Sequence, residues 1–78
     1  MKANEIIRKL MKDSGTTLME LAEYADMGSK ENVCHILQRK DLKVGSFVKM
    51  LEVMGYKLVV IGDETNTEYD VDYEEEVY

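Results

Sequence analysis

Thr17-Leu18-Met19-Glu20-Leu21-Ala22-Glu23-Tyr24-Ala25-Asp26-Met27-Gly28-Ser29-Lys30-Glu31-Asn32-Val33-Cys34-His35-Ile36-Leu37 is the stretch on which the fold turns. Thr17 stands three residues before Glu20, the spacing at which a hydroxyl caps one helix-end N–H and a carboxylate reaches back to another. A helix is expected to start there, with Leu18, Leu21, Ala22 and Ala25 on one inward stripe. It should stop within Asp26-Met27-Gly28-Ser29, where glycine permits the turn and serine can cap the next helix. That further helix, over residues 30–39, turns Val33, Ile36 and Leu37 inward and leaves Lys30, Glu31, Asn32, His35, Gln38 and Arg39 outside.

Upstream, Ile6, Ile7, Leu10 and Met11 give residues 3–12 a helical stripe that Asp13-Ser14-Gly15 ends. Downstream, residues 40–45 read as a loop, and Ser46 is placed to cap a fourth helix holding Phe47, Val48, Met50, Leu51, Val53 and Met54, closed by Gly55. Residues 56–61 are apolar and β-prone, which predicts a short strand or an extended arm. Beyond them Tyr69, Val71 and Tyr73 alternate with Asp70, Asp72 and Glu74. That period of two allows a second strand, but the charge density favours a flexible tail. The expectation is an all-α fold: a compact four-helix domain with a C-terminal strand or arm over residues 1–62, and an acidic, Tyr-containing tail over 63–78.

Seventy-eight residues make one small domain, whose modest buried fraction makes partner binding or dimerisation a reasonable expectation. There is no Trp or Pro and one Phe, so Leu, Ile, Val and six Met must build the core. Cys34 is the single cysteine and cannot form an internal disulfide; with no leader-like start, a cytoplasmic location is expected. The longest apolar run, Leu58 to Ile61, is far short of a membrane span. The net charge of −6 argues against nucleic acid until it is divided along the chain. Residues 1–62 carry ten basic and eight acidic side chains, whereas residues 63–78 carry eight acids and no base. The acidity belongs to the tail.

Two short helices joined by a tight glycine-containing turn, the second with a polar outer face, form a helix-turn-helix, in which that second helix enters the DNA major groove. Ser14 to Glu23, then Val33-Cys34-His35-Ile36-Leu37, then Phe47 to Tyr56 resemble the Cro and lambda-repressor type regulators of phages and mobile elements. The resemblance covers roughly residues 3–61. The family's frequent Gln just inside the second helix is Leu18 here, and the turn carries one extra residue around Met27-Gly28-Ser29. Carried over by position, the resemblance implies Ser29, Lys30, Glu31, Asn32 and His35 as base-reading residues, and Thr17, Gln38, Arg39, Lys40 and Lys43 as phosphate contacts. The chemistry is apt, since an Asn amide matches adenine, Lys matches guanine acceptors and Glu accepts from a cytosine amino group.

The expected function is sequence-specific DNA binding by a repressor-like regulator, with double-stranded DNA as partner. The alternative is a small phage-type inhibitor, like those that block CRISPR nucleases, which would present the acidic tail to a nucleic-acid-binding host protein, with Tyr69, Tyr73 and Tyr78 as base-like groups. An antitoxin is a third possibility within the DNA-binding class. An enzyme is not expected, because one His, one Cys and scattered acids form no nucleophile or acid–base pair. No metal or cofactor is expected either, since the Glu74-Glu75-Glu76 run reads as solvated. Two recognition helices normally act together, so a homodimer is expected, with Tyr56, Leu58, Val60, Tyr69 and Tyr73 as the candidate surface for the dimer or for another partner. Use of the same segment by the chain's own core is the competing reading.

Overall fold

The computed structural model describes residues 1–39 and 42–72. Lys40, expected at the DNA contact, and Tyr73, expected at the dimer surface, lie outside the described residues, as do Tyr78 and the Glu74–Glu76 run. In chain order the elements are α1 (Ala3–Ser14), α2 (Leu18–Tyr24), α3 (Lys30–Gln38), α4 (Val44–Val53), β1 (Leu58–Ile61) and β2 (Glu68–Val71). The fold is therefore mostly helical, with one two-stranded antiparallel sheet. Among the described residues no helix is long and apolar enough to cross a membrane.

The helices form for the reasons their sequences give. α1 ends at Gly15, whose φ of 72° suits a residue without Cβ. α2 opens with the reciprocal cap: Thr17 Oγ1 accepts from the Glu20 N–H at 3.1 Å, and the Thr17 N–H donates to Glu20 Oε1 at 3.2 Å. The core gathers one side of every helix: Ile7 from α1, Leu21 and Ala22 from α2, Val33 and Leu37 from α3, and Met50 and Leu51 from α4. Ala25 and Met27 of the turn are buried among them. Each large aliphatic side chain so buried contributes about 1.5–3 kcal/mol. Leu58 of β1 packs onto this core and ties the hairpin to it.

Two expectations need correction. The fourth helix begins at Val44, not after Ser46: Lys43 occupies the cap position with extended backbone and no side-chain cap bond, so Ser46 lies inside the first turn. Gly45 misled the sequence reading, because a glycine costs little in a first turn, whose backbone is anchored by few intrahelical bonds. The tail reading also changes, since residues 68–71 form β2, with Leu58 opposite Val71, Val59 opposite Asp70, Val60 opposite Tyr69 and Ile61 opposite Glu68. Alternation outweighs charge density here because the apolar half of the alternation, Tyr69 and Val71, lies on the same sheet face as Leu58 and Val60.

Candidate nucleic-acid interface

The α2–α3 pair is the most extensive helix pairing of the fold, and the turn between the two helices is fully specified. Asp26 and Gly28 both take positive φ, 54° and 86°, which reverses the chain within a few residues. The Met27 N–H donates to the Ala22 carbonyl at 2.9 Å, and Met27 is itself buried. Ser29 then caps α3, its Oγ accepting from the Asn32 N–H at 3.2 Å. Asn32 also reaches back across the turn, its Nδ2 donating to the Met27 carbonyl at 2.7 Å. At its other end α3 is held by α1, where Asn4 Nδ2 donates to the Leu37 carbonyl at 3.2 Å. The helix is thus fixed at both ends and along its buried stripe of Val33 and Leu37.

Held in this way, α3 turns a polar face to solvent. Lys30, Glu31, Asn32, His35, Gln38 and Arg39 are all exposed, as their spacing predicts. Asn32 has a dual position: one amide hydrogen secures the turn, which leaves the other hydrogen and Oδ1 for a further partner. Gln38 is turned back along the helix, with Nε2 3.6 Å from Cys34 Sγ. Cys34 itself is half-buried. Among the described residues Lys30, Arg39 and Lys43 form no ion pair.

A cleft of about 230 Å³ joins part of this face to the start of α4, lined by Asn32, Ile36, Arg39, Leu42, Lys43 and Ser46. Two cations, Arg39 and Lys43, flank it, and Lys43 holds the cap position of α4 without a side-chain cap bond. A guanidinium and an ammonium at one cleft suit a phosphate oxygen. The structure therefore brings Asn32, Arg39 and Lys43 to one cleft. Ser29, Lys30 and Glu31 line a second cleft of about 450 Å³ in the crease between α2 and α3. Thr17 is exposed at the start of α2, its hydroxyl engaged with Glu20.

Two features escaped the sequence reading. Met19 lies in the α2–α3 crease with 66% of its surface exposed, an apolar group beside Ser29 and Lys30. Its position off the Leu18, Leu21, Ala22 and Ala25 stripe was the available signal. A wider opening of about 630 Å³ runs between α2 and α4, lined by Thr16, Glu20, Tyr24, Ala25, Asp26, Lys49, Glu52 and Val53. It contains no residue of α3, and its charged lining is Glu20, Asp26 and Glu52 with Lys49. Two helices distant in sequence form it, so no local pattern announced it. Comparison with protein-family models, characterised proteins and solved structures finds no match to this chain.

Proposed function

We propose that this chain is a sequence-specific DNA-binding regulator of the repressor type, belonging to a phage or mobile element and acting in the cytoplasm. The observation that carries the reading is a polar α3 face, locked by the capped turn before it and flanked by Lys30, Arg39 and Lys43, which form no ion pair among the described residues. Rigid mounting of a polar helix face is what major-groove reading requires, since base discrimination fails if the donors and acceptors are free to move. The resemblance to Cro and lambda-repressor type regulators points the same way. In this reading His35, Glu31 and Lys30 meet base edges, Met19 meets an apolar edge such as a thymine methyl, and Arg39 and Lys43 hold phosphate.

Fluorescence anisotropy of a labelled mixed-sequence duplex, at roughly 50 and 200 mM salt, tests the electrostatic half of the reading. Binding that weakens steeply with salt, and weakens further in Arg39→Ala, is the expected result. No binding of the full chain at the lower salt overturns the proposal. In that event the acids of the hairpin become the leading interaction surface, and a nucleic-acid-binding protein the partner to seek.

A further inference from the structure

The crease between α2 and α3 sets an apolar side chain among charges without any demand from the core. Met19 is 66% exposed and takes no part in the core cluster, to which α2 contributes Leu21 and Ala22. It shares the cleft of about 450 Å³ with Glu23, Ser29, Lys30 and Glu31. Gly28 adds no side chain to this cleft, and the space where one would stand is open. Glu23 and Glu31 form no ion pair among the described residues. An exposed thioether thus stands beside two carboxylates and one ammonium.

Each of these groups answers a feature of a pyrimidine edge in the major groove. Methionine is unbranched and polarizable, and it adapts to the shape of whatever apolar group it meets. The apolar group that a base presents in the major groove is a C5-methyl. Thymine and 5-methylcytosine both carry one, and the group on the adjoining carbon tells them apart: thymine offers the acceptor O4, cytosine the amino donor N4. A carboxylate only accepts. Thymine O4 beside Glu23 and Glu31 would set acceptor against acceptor, whereas the amino group of 5-methylcytosine has a donor to give. Lys30, which only donates, is left for O6 and N7 of a guanine.

We propose that the α2–α3 crease reads 5-methylcytosine in duplex DNA, with Met19 covering the C5-methyl group, Glu31 accepting from the N4 amino group and Lys30 donating to a neighbouring guanine. The inference rests on the DNA-binding reading and adds to it a residue outside α3 and a chemical state of the DNA. Position in the fold supports it. The N-terminal residues of a recognition helix are those that meet base edges, and Ser29, Lys30 and Glu31 are the cap and the first two residues of α3. Met19, the second residue of α2, lines the same cleft. The C4 and C5 groups of a pyrimidine already face the major groove, so the base is read within the stack. The consequence is that the chain distinguishes methylated from unmethylated copies of one sequence.

Selection by the full chain from two randomised duplex pools, one carrying cytosine and the other 5-methylcytosine in its place, supplies the sites. Fluorescence anisotropy then compares 5-methylcytosine, cytosine and thymine at each pyrimidine of the best site. The expected result is a position at which 5-methylcytosine binds about fourfold or more tighter than cytosine, the effect of one buried methyl group, and tighter than thymine. Met19→Gln should bring the ratio of methylated to unmethylated binding close to one while still binding the unmethylated site, and Met19→Leu should keep the ratio. Glu31→Gln, whose amide both donates and accepts, should keep the methyl preference and lose the discrimination against thymine. Both residues are exposed, so the core is untouched; circular dichroism checks the helices, and Met19→Ala replaces Met19→Gln if that variant loses them. Equal binding of cytosine and 5-methylcytosine at every position, tighter binding of thymine than of 5-methylcytosine, or an unchanged ratio in the folded Met19 variant overturns the proposal. A chain that enriches a motif without methyl preference removes this inference alone, whereas a chain that binds no duplex removes the function with it.

Discussion

Asn32 shows how much one side chain of the interface does before any ligand arrives. Its amide closes the turn onto the Met27 carbonyl while its backbone N–H donates to the Ser29 hydroxyl. Asn32→Ala should therefore lower stability by about 1 kcal/mol, the usual net contribution of a hydrogen bond, in a thermal melt of the protein alone. Any loss of DNA affinity in that variant combines a lost contact with a loosened turn, so Asn32 is a poor single test of base reading. Arg39 and Lys43 make cleaner probes, because neither holds the fold: both are exposed and form no ion pair among the described residues. Arg39→Ala and Lys43→Ala should each weaken binding to all sequences alike and reduce the slope of log affinity against log salt by about 0.9. The outward aim of His35 and Arg39 was legible in the sequence from helical spacing alone. The second duty of Asn32 was not, because it depends on where the Met27 carbonyl lands after the turn.

Among the elements, the α2–turn–α3 unit was the most legible. Its capping box, its glycine and its serine cap each act within three or four residues, and local rules describe such effects well. The turn also sets a testable cost. Gly28 has a φ of 86° with open space where a Cβ would stand, so strain and not collision opposes a side chain there. Gly28→Ala should cost about 1–2 kcal/mol, which for a chain of this size is a fall in Tm of very roughly 4–16 °C. An unchanged melt would show that the turn relaxes to a negative φ. The start of α4 was misread because Ser46 matches a cap by composition, while the true cap, Lys43, has no capping side chain and is fixed by its backbone. The hairpin was misread for a different reason. Strand pairing is a contact between segments, and the charge of residues 63–78 masked the apolar half of their alternation.

At the scale of the whole molecule the organising feature is separation of charge. Every basic residue but Lys57 precedes the end of α4, and the hairpin fixes acids in place by anchoring β2 to a strand that itself rests on the core. Lys57 and Asp70, 3.4 Å apart, form an ion pair within the hairpin, but both are well exposed, so it adds at most about 1 kcal/mol. If the chain binds DNA as proposed, these acids would act as a brake on non-specific binding. Replacing Glu68 and Asp72 by Gln and Asn, with that ion pair left intact, should raise affinity for mixed-sequence DNA at low salt and should increase self-association through the β2 edge. Sedimentation and anisotropy on the same preparation read both effects. If neither changes, the acids have no part in association or DNA binding.

The central claim is that the outward face of α3 reads base sequence, and selection of duplexes from a randomised pool tests it most directly. The full chain should enrich a defined motif, built of two related half-sites if it binds as a dimer. His35→Ala should keep the fold, because His35 is exposed and lies off the buried stripe of α3, and should lose preference at one base position of each half-site. Failure of the full chain to enrich any motif, or an identical motif from the folded His35→Ala and Lys30→Ala variants, would contradict the account.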